Sequence, residues 1–135
     1  MVPLVEVERF INTRLLASAP TYDLYQDKLP DGVSEGLVYR NAGGPPATFT
    51  EHGTTLMEEM VYDIKYVGIG EDSGIAEEAA DLIKTALEDA RGATDNGEVF
   101  GCRRELPIRF SESLKSGQKW IHLGWKFRFY ARGSV

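Results

Sequence analysis

Few side chains in this sequence are equipped for chemistry. There are 2 histidines, His52 and His122, and 1 cysteine, Cys102. A catalytic nucleophile needs a base within reach, and a metal needs several ligands at set spacings. Neither histidine has a second His, Cys or carboxylate at such a spacing, and no nucleophile elbow accompanies them. Both read as solvated or hydrogen-bonded histidines. Cys102 stands beside Arg103 and Arg104, which would lower a thiol pKa, but with no partner motif it reads as a structural thiol. It cannot form an internal disulfide. Gly68-Ile69-Gly70 and Gly74 fall between a strand pattern and a helix pattern, as in a dinucleotide-binding turn. That fingerprint needs a glycine where Ser73 stands, and Glu71 and Asp72 would repel a pyrophosphate. Ser73 is instead expected to cap the following helix, with Glu77 and Glu78 favouring its dipole. The acidic run Glu77, Glu78, Asp81, Glu88 and Asp89 lies off the apolar stripe and reads as a solvated face. No catalytic residue, cofactor or metal is expected.

The elements that would position these residues follow from periodicity. Leu4, Val7, Phe10, Ile11 and Leu15 recur at helical spacing, predicting a helix that ends near Ala17 to Pro20. Residues 21–35 read as a connecting loop, followed by a short strand at Leu37 to Tyr39. Asn41-Ala42-Gly43-Gly44-Pro45-Pro46 allows no regular structure to continue, and a loop of roughly 15 residues is expected to Met57. Met60, Tyr62, Ile64 and Tyr66 alternate with Val61, Asp63, Lys65 and Val67, predicting a strand. Ile75 through Ala90 carries a stripe of mostly small apolar residues, predicting a helix to about Arg91 with Gly92 as its C-cap. Residues 92–101 read as turn-rich. Leu106, Ile108 and Phe110 alternate as a strand in which Pro107 marks an edge or bulge. Ile121 to Ala131 is the clearest strand of all.

The expected fold is therefore α+β: a mainly antiparallel four-stranded sheet with two helices on one face, in the order helix-strand-strand-helix-strand-strand, as a single domain over residues 1–135. The last strand is long for such a domain and is expected to overhang it, burying its apolar face of Trp125, Phe127 and Phe129 against a neighbouring copy. Its interleaved aromatic and basic residues could stack on single-stranded nucleic acid, but alternation turns Trp125, Phe127 and Phe129 away from the cations.

The composition is that of an ordinary globular protein, with 42% hydrophobic and 27% charged residues, which excludes disordered and coiled-coil classes. The N-terminus lacks a signal-peptide pattern, and no stretch is apolar enough to span a membrane. A net charge of -6 argues against a protein that grips nucleic acid. The charge is segregated: residues 1–70 carry 5 basic and 10 acidic side chains, residues 71–98 carry 2 and 9, and residues 99–135 carry 8 and 2. Such blocks either neutralise each other within one chain or meet across copies, the latter placing Arg103, Arg104 and Arg109 at a subunit interface.

A leading helix, a strand entering Arg40-Asn41-Ala42-Gly43-Gly44-Pro45-Pro46, the strand Tyr62-Asp63-Ile64-Lys65-Tyr66-Val67, the helix Ala79-Ala80-Asp81-Leu82-Ile83-Lys84-Thr85-Ala86-Leu87 and a terminal hairpin together resemble the tail-terminator proteins of long-tailed bacteriophages. These are also described as minor capsid or tail-completion proteins. The resemblance covers about residues 4 to 131. It implies a non-enzymatic virion protein, found in the host cytoplasm during assembly, that forms a ring, usually hexameric, which caps the tail tube and joins it to the head connector. By the resemblance, Arg40, Gly43, Gly44, Pro45, Pro46 and His52 would contact the tail tube or connector, and DNA would pass through without specific binding. The alternative function is a small ligand-binding domain or enzyme with a pocket between sheet and helices, lined by Tyr62, Tyr66 and Trp125.

Overall fold

The computed structural model describes residues 4–44, 46–51, 54–70, 73–113 and 116–133. Two helices, α1 (Leu4–Ser18) and α2 (Ser73–Leu87), pack together on one face of a curled sheet of seven strands. The strands are β1 (Leu24–Gln26), β2 (Glu35–Asn41), β3 (Ala47–Glu51), β4 (Thr54–Ile69), β5 (Gly92–Thr94), β6 (Gly97–Ser113) and β7 (Lys119–Gly133). The sheet runs β1-β2-β4-β7-β6-β5, with β3 paired to β4 on the same side as β2. Only β1 and β2 are parallel, which makes the sheet mixed.

The four-stranded antiparallel sheet expected from the sequence is thus replaced by a seven-stranded mixed one, and the element order differs. The four periodic strands exist, longer than expected; the additional ones are β1, β3 and β5. All five residues of β3 are exposed, so it has no buried face to produce an alternating pattern. β1 and β5 are three residues each, too short to show a period. The expected loop over 42–57 shrinks accordingly, because β3 and the start of β4 occupy most of it. Helix α2 also stops earlier than expected, at Leu87. The left-handed residue after it is Asp89 (φ 59°), whose N–H donates to the Cys102 carbonyl, while Gly92 opens β5.

Alternation decides what faces the helices. Val7, Phe10, Ile11 and Leu15 of α1 and Ala76, Ala79, Ile83, Ala86 and Leu87 of α2 meet Leu37, Tyr39, Met60, Tyr62, Ile64, Phe127, Phe129 and Ala131 from the sheet. The alanines let α2 lie close to the strands. Tyr62 and Phe129 meet edge-to-face at 5.8 Å in this core. The expected overhang of β7 is also corrected. β7 is a central strand, paired to β4 over Trp120–Ala131 and to β6 over Lys119–Gly133, so Phe127 and Phe129 are buried within one chain.

Candidate functional site

The opposite face of the sheet carries charge. Asp63 of β4 lies across from Arg40 of β2 and Lys126 of β7, and its carboxylate meets Arg40 Nη2 at 3.3 Å and Lys126 Nζ at 3.5 Å. One layer further along, Arg128 is held between Glu59 of β4 and Glu105 of β6, with Nε donating to Glu105 at 3.1 Å and Nη1 donating to Glu59. These bonds raise the Arg128 pKa, the Glu105 hydrogen bond contributing most. Registers across β2, β4, β7 and β6 build both trios, because odd residues of β4 and even residues of β7 point to this face. Such partly exposed pairs are individually weak, so their main effect is to fix side-chain positions and polarity on the face.

Gly43 and Gly44 form one wall of a cleft on this face. β2 ends with Asn41 opposite Tyr62 and β3 resumes with Ala47 opposite Glu59, which leaves Met60 and Val61 of β4 between the two pairings. Ala42 N–H donates to the Val61 carbonyl, and Gly43 N–H to Asn41 Oδ1. Gly44 has φ +73°, a conformation that disfavours any side chain. A Cβ on Gly43 would lie 3.3 Å from Val61 Cβ, so glycine permits the close approach. Gly43, Gly44, Ala47, Glu59, Val61 and Arg128 line a cleft of about 230 Å³. Of the expected partner-contact residues, Arg40 belongs to the first charged trio, Gly43 and Gly44 line the cleft beside the second, and Pro46 is half-buried just before β3. Pro45 and His52 lie outside the described residues.

At the other end of this face, His122 is 9% exposed and stacks on Phe110 with ring centroids 4.1 Å apart. Its Nε2 lies 2.5 Å from Glu112 Oε1. Burial, then the nearby Lys65 ammonium, hold its pKa below the ordinary imidazole value of 6.5, while Glu112 opposes them. The unfolded chain therefore binds the proton more readily than the folded one. The stability contributed by neutral His122 is complete above pH 6.5 and is lost as pH falls through the lower folded value. We expect Tm to fall as pH is lowered below about 6.5, and the fall to be shallower in His122→Gln; an unchanged slope in that variant counts against this source. Glu6 behaves similarly in a more acidic window. The Asn96 side-chain amide, aided by the Asn96 backbone N–H, lowers its pKa from 4.5 although burial raises it.

Among the expected interface residues, Arg103 is exposed on the charged face opposite Arg128, Arg104 contacts Glu88 at 3.3 Å and stacks over Trp125, and Arg109 is 3.8 Å from Glu77. Trp125 is half-buried beneath Arg104. Phe127 and Phe129 are 0% exposed and serve the chain's own core. Cys102 is buried, and burial pushes its thiol pKa up rather than down. Of the residues expected to line a ligand pocket between sheet and helices, Tyr62 is 0% exposed and donates its hydroxyl to Glu8 at 3.2 Å and Tyr66 is buried, while Trp125 lines a cleft of about 290 Å³ between α2 and the β6–β7 pair with Glu77, Ala80, Arg109 and Leu123. Sequence reasoning missed Asp63, Glu59, Glu105, Lys126 and Arg128. Their alternation was visible, but the registers that gather them are not. Among the described residues no group of three or more His, Cys, Asp or Glu could hold a metal, and no helix is long and apolar enough to cross a membrane.

No family model and no curated protein sequence matches this chain. Among solved structures, it is similar to a chain of one described as "Virion of native gene transfer agent (GTA) particle", with a TM-score of 0.52 and 19% identity. The likeness covers 91% of this chain and 92% of that one, so it is the whole fold that is shared.

Proposed function

We propose that this chain is a structural, non-enzymatic component of a phage-like particle. It acts by self-association into a ring, hexameric by the family resemblance, that caps the tail tube and joins it to the head connector. The observation that carries this reading is the likeness of fold, over nearly the full length of both chains, to a chain from a gene transfer agent virion. The surface is compatible with it: a charged sheet face bordered by the Gly43-Gly44 cleft offers polar contacts to another protein. In this reading the Arg40, Gly43, Gly44, Pro45, Pro46 and His52 region meets tube or connector. DNA crosses the ring without being gripped, as the net charge of -6 favours.

The test is the mass in solution by light scattering, measured on the protein alone and with purified tail tubes from the same source. A ring, or a monomer that becomes bound at tube ends, is the expected result. A monomer at every concentration that ignores the tubes would overturn the reading.

A further inference from the structure

At the tip of the β5–β6 hairpin stands Asn96-Gly97, the one place in the sequence where an asparagine precedes a glycine; Asn12 is followed by Thr13 and Asn41 by Ala42. Thr94 pairs with Gly97, so Asp95 and Asn96 make a two-residue turn, and both are exposed. The turn is tied to α1. The Asn96 backbone N–H donates to Glu6 Oε1 at 2.6 Å and its side-chain Nδ2 to Glu6 Oε2 at 3.0 Å, while Asp95 meets Arg9 Nη1 at 2.8 Å. Glu6 is 4% exposed, so the two bonds from Asn96 satisfy a carboxylate that would be costly to bury without them. Beside this tie a cleft of about 470 Å³, lined by Glu6, Arg9, Phe10, Thr13, Thr94 and Asp95, admits water.

We infer that Asn96 is a site of spontaneous deamidation, and that its conversion to aspartate or isoaspartate loosens the N-terminal end of α1 from the β5–β6 turn. The Gly97 nitrogen attacks Asn96 Cγ and gives up its proton; the bond from Cγ to the side-chain nitrogen breaks, and ammonia leaves carrying that proton. The main chain then holds a five-membered succinimide. Water adds at one of the two carbonyl carbons and breaks its bond to the Gly97 nitrogen, giving aspartate from attack at Cγ and isoaspartate from attack at the backbone carbonyl. Glycine favours the first step because no Cβ shields its nitrogen and its backbone turns freely. The Asn96 amide must leave Glu6 to reach that nitrogen, so the reaction proceeds through a transient opening of the tie. Either product sets a second carboxylate where an amide donated to buried Glu6, and like-charge repulsion replaces a hydrogen bond in a poorly hydrated site. Isoaspartate also lengthens the main chain by one carbon within the two-residue turn, which shifts Gly97 against Thr94. The Arg9–Asp95 pair is exposed on both sides and contributes too little to hold the turn alone. Val7, Phe10 and Ile11 remain in the core and keep the rest of α1 in place.

To test the site, the full chain is incubated at mildly alkaline pH below its melting temperature, and the peptides carrying Asn12, Asn41 and Asn96 are followed by mass spectrometry. Conversion is expected at Asn96, to isoaspartate as well as aspartate, and Gly97→Ala is expected to keep the amide over the same period. An Asn96 that converts no faster than Asn12 and Asn41 overturns the site. Hydrogen exchange tests the consequence. Asn96→Asp is expected to speed exchange in the turn and the first half of α1 while β4 and β7 stay as in the wild type, and to lower Tm at neutral pH. Adding Glu6→Gln restores an amide–carboxylate pair with the two groups exchanged, and is expected to return exchange and Tm toward the wild-type values. Unchanged exchange in Asn96→Asp, or no recovery in the double variant, overturns the loosening. Should Asn96→Asp fail to fold, recovery of folding in the double variant is the expected result, and its absence has the same overturning force.

Discussion

Phe127→Asp should abolish cooperative folding altogether. Phe127 is 0% exposed in the core formed by α1, α2, β4 and β7, near Phe129 at a ring separation of 6.4 Å. Truncation of such a side chain to alanine costs about 3–5 kcal/mol in transfer and cavity terms. Aspartate adds a charge with no partner among apolar neighbours, and the total exceeds what a domain of marginal stability, about 5–15 kcal/mol, can reliably lose. Phe127→Ala should fold with a Tm lowered by about 10–25 °C, and Phe127→Leu should be tolerated best because it keeps an apolar side chain. Thermal melts followed by circular dichroism decide this. A Phe127→Asp protein that melts cooperatively as a folded monomer would mean that the side chain faces a neighbouring copy after all.

The second large effect is expected at Gly124, where replacement by alanine should destabilise the protein by several kcal/mol. A Cβ built there would lie 2.2 Å from the Ile64 carbonyl oxygen and 2.5 Å from Lys65 Cα. Both are backbone atoms of the paired strand, so relief requires β4 and β7 to separate in the middle of the sheet rather than a side chain to turn aside. Gly124→Ala should therefore lower Tm more than Gly117→Ala, where a Cβ has nothing within 4 Å and only a positive φ of 84° to accommodate. Equal losses at the two sites would show that the strands can separate there without penalty.

These two positions divide what was legible in advance from what was not. That Phe127 belongs to an apolar face follows from strict alternation over Ile121 to Ala131, because a strand sends successive side chains to opposite sides. What covers that face does not follow. A long apolar strand can be buried by a helix of its own chain or by a second chain, and α2 settled it here. Gly124 looked like any small residue on the polar side; its necessity comes from a backbone approach that exists only once β4 is in register with β7.

The sequence by itself determined the two helices, the four periodic strands and the edge character of β6 at Pro107. Each expresses a local rule: an apolar stripe at 3.6 residues, alternation at 2, or a missing donor. It also determined the segregation of charge, since that needs only counting. The tertiary structure alone decided the rest. It added β1, β3 and β5, whose pairing is supplied by neighbours rather than by their own pattern. It gathered Arg40, Asp63 and Lys126, and Glu59, Arg128 and Glu105, from strands whose relative register no local pattern specifies. It also set Leu24 of β1 level with Arg109 of β6 on the far side of the sheet, because height across a sheet is the sum of registers along every strand between.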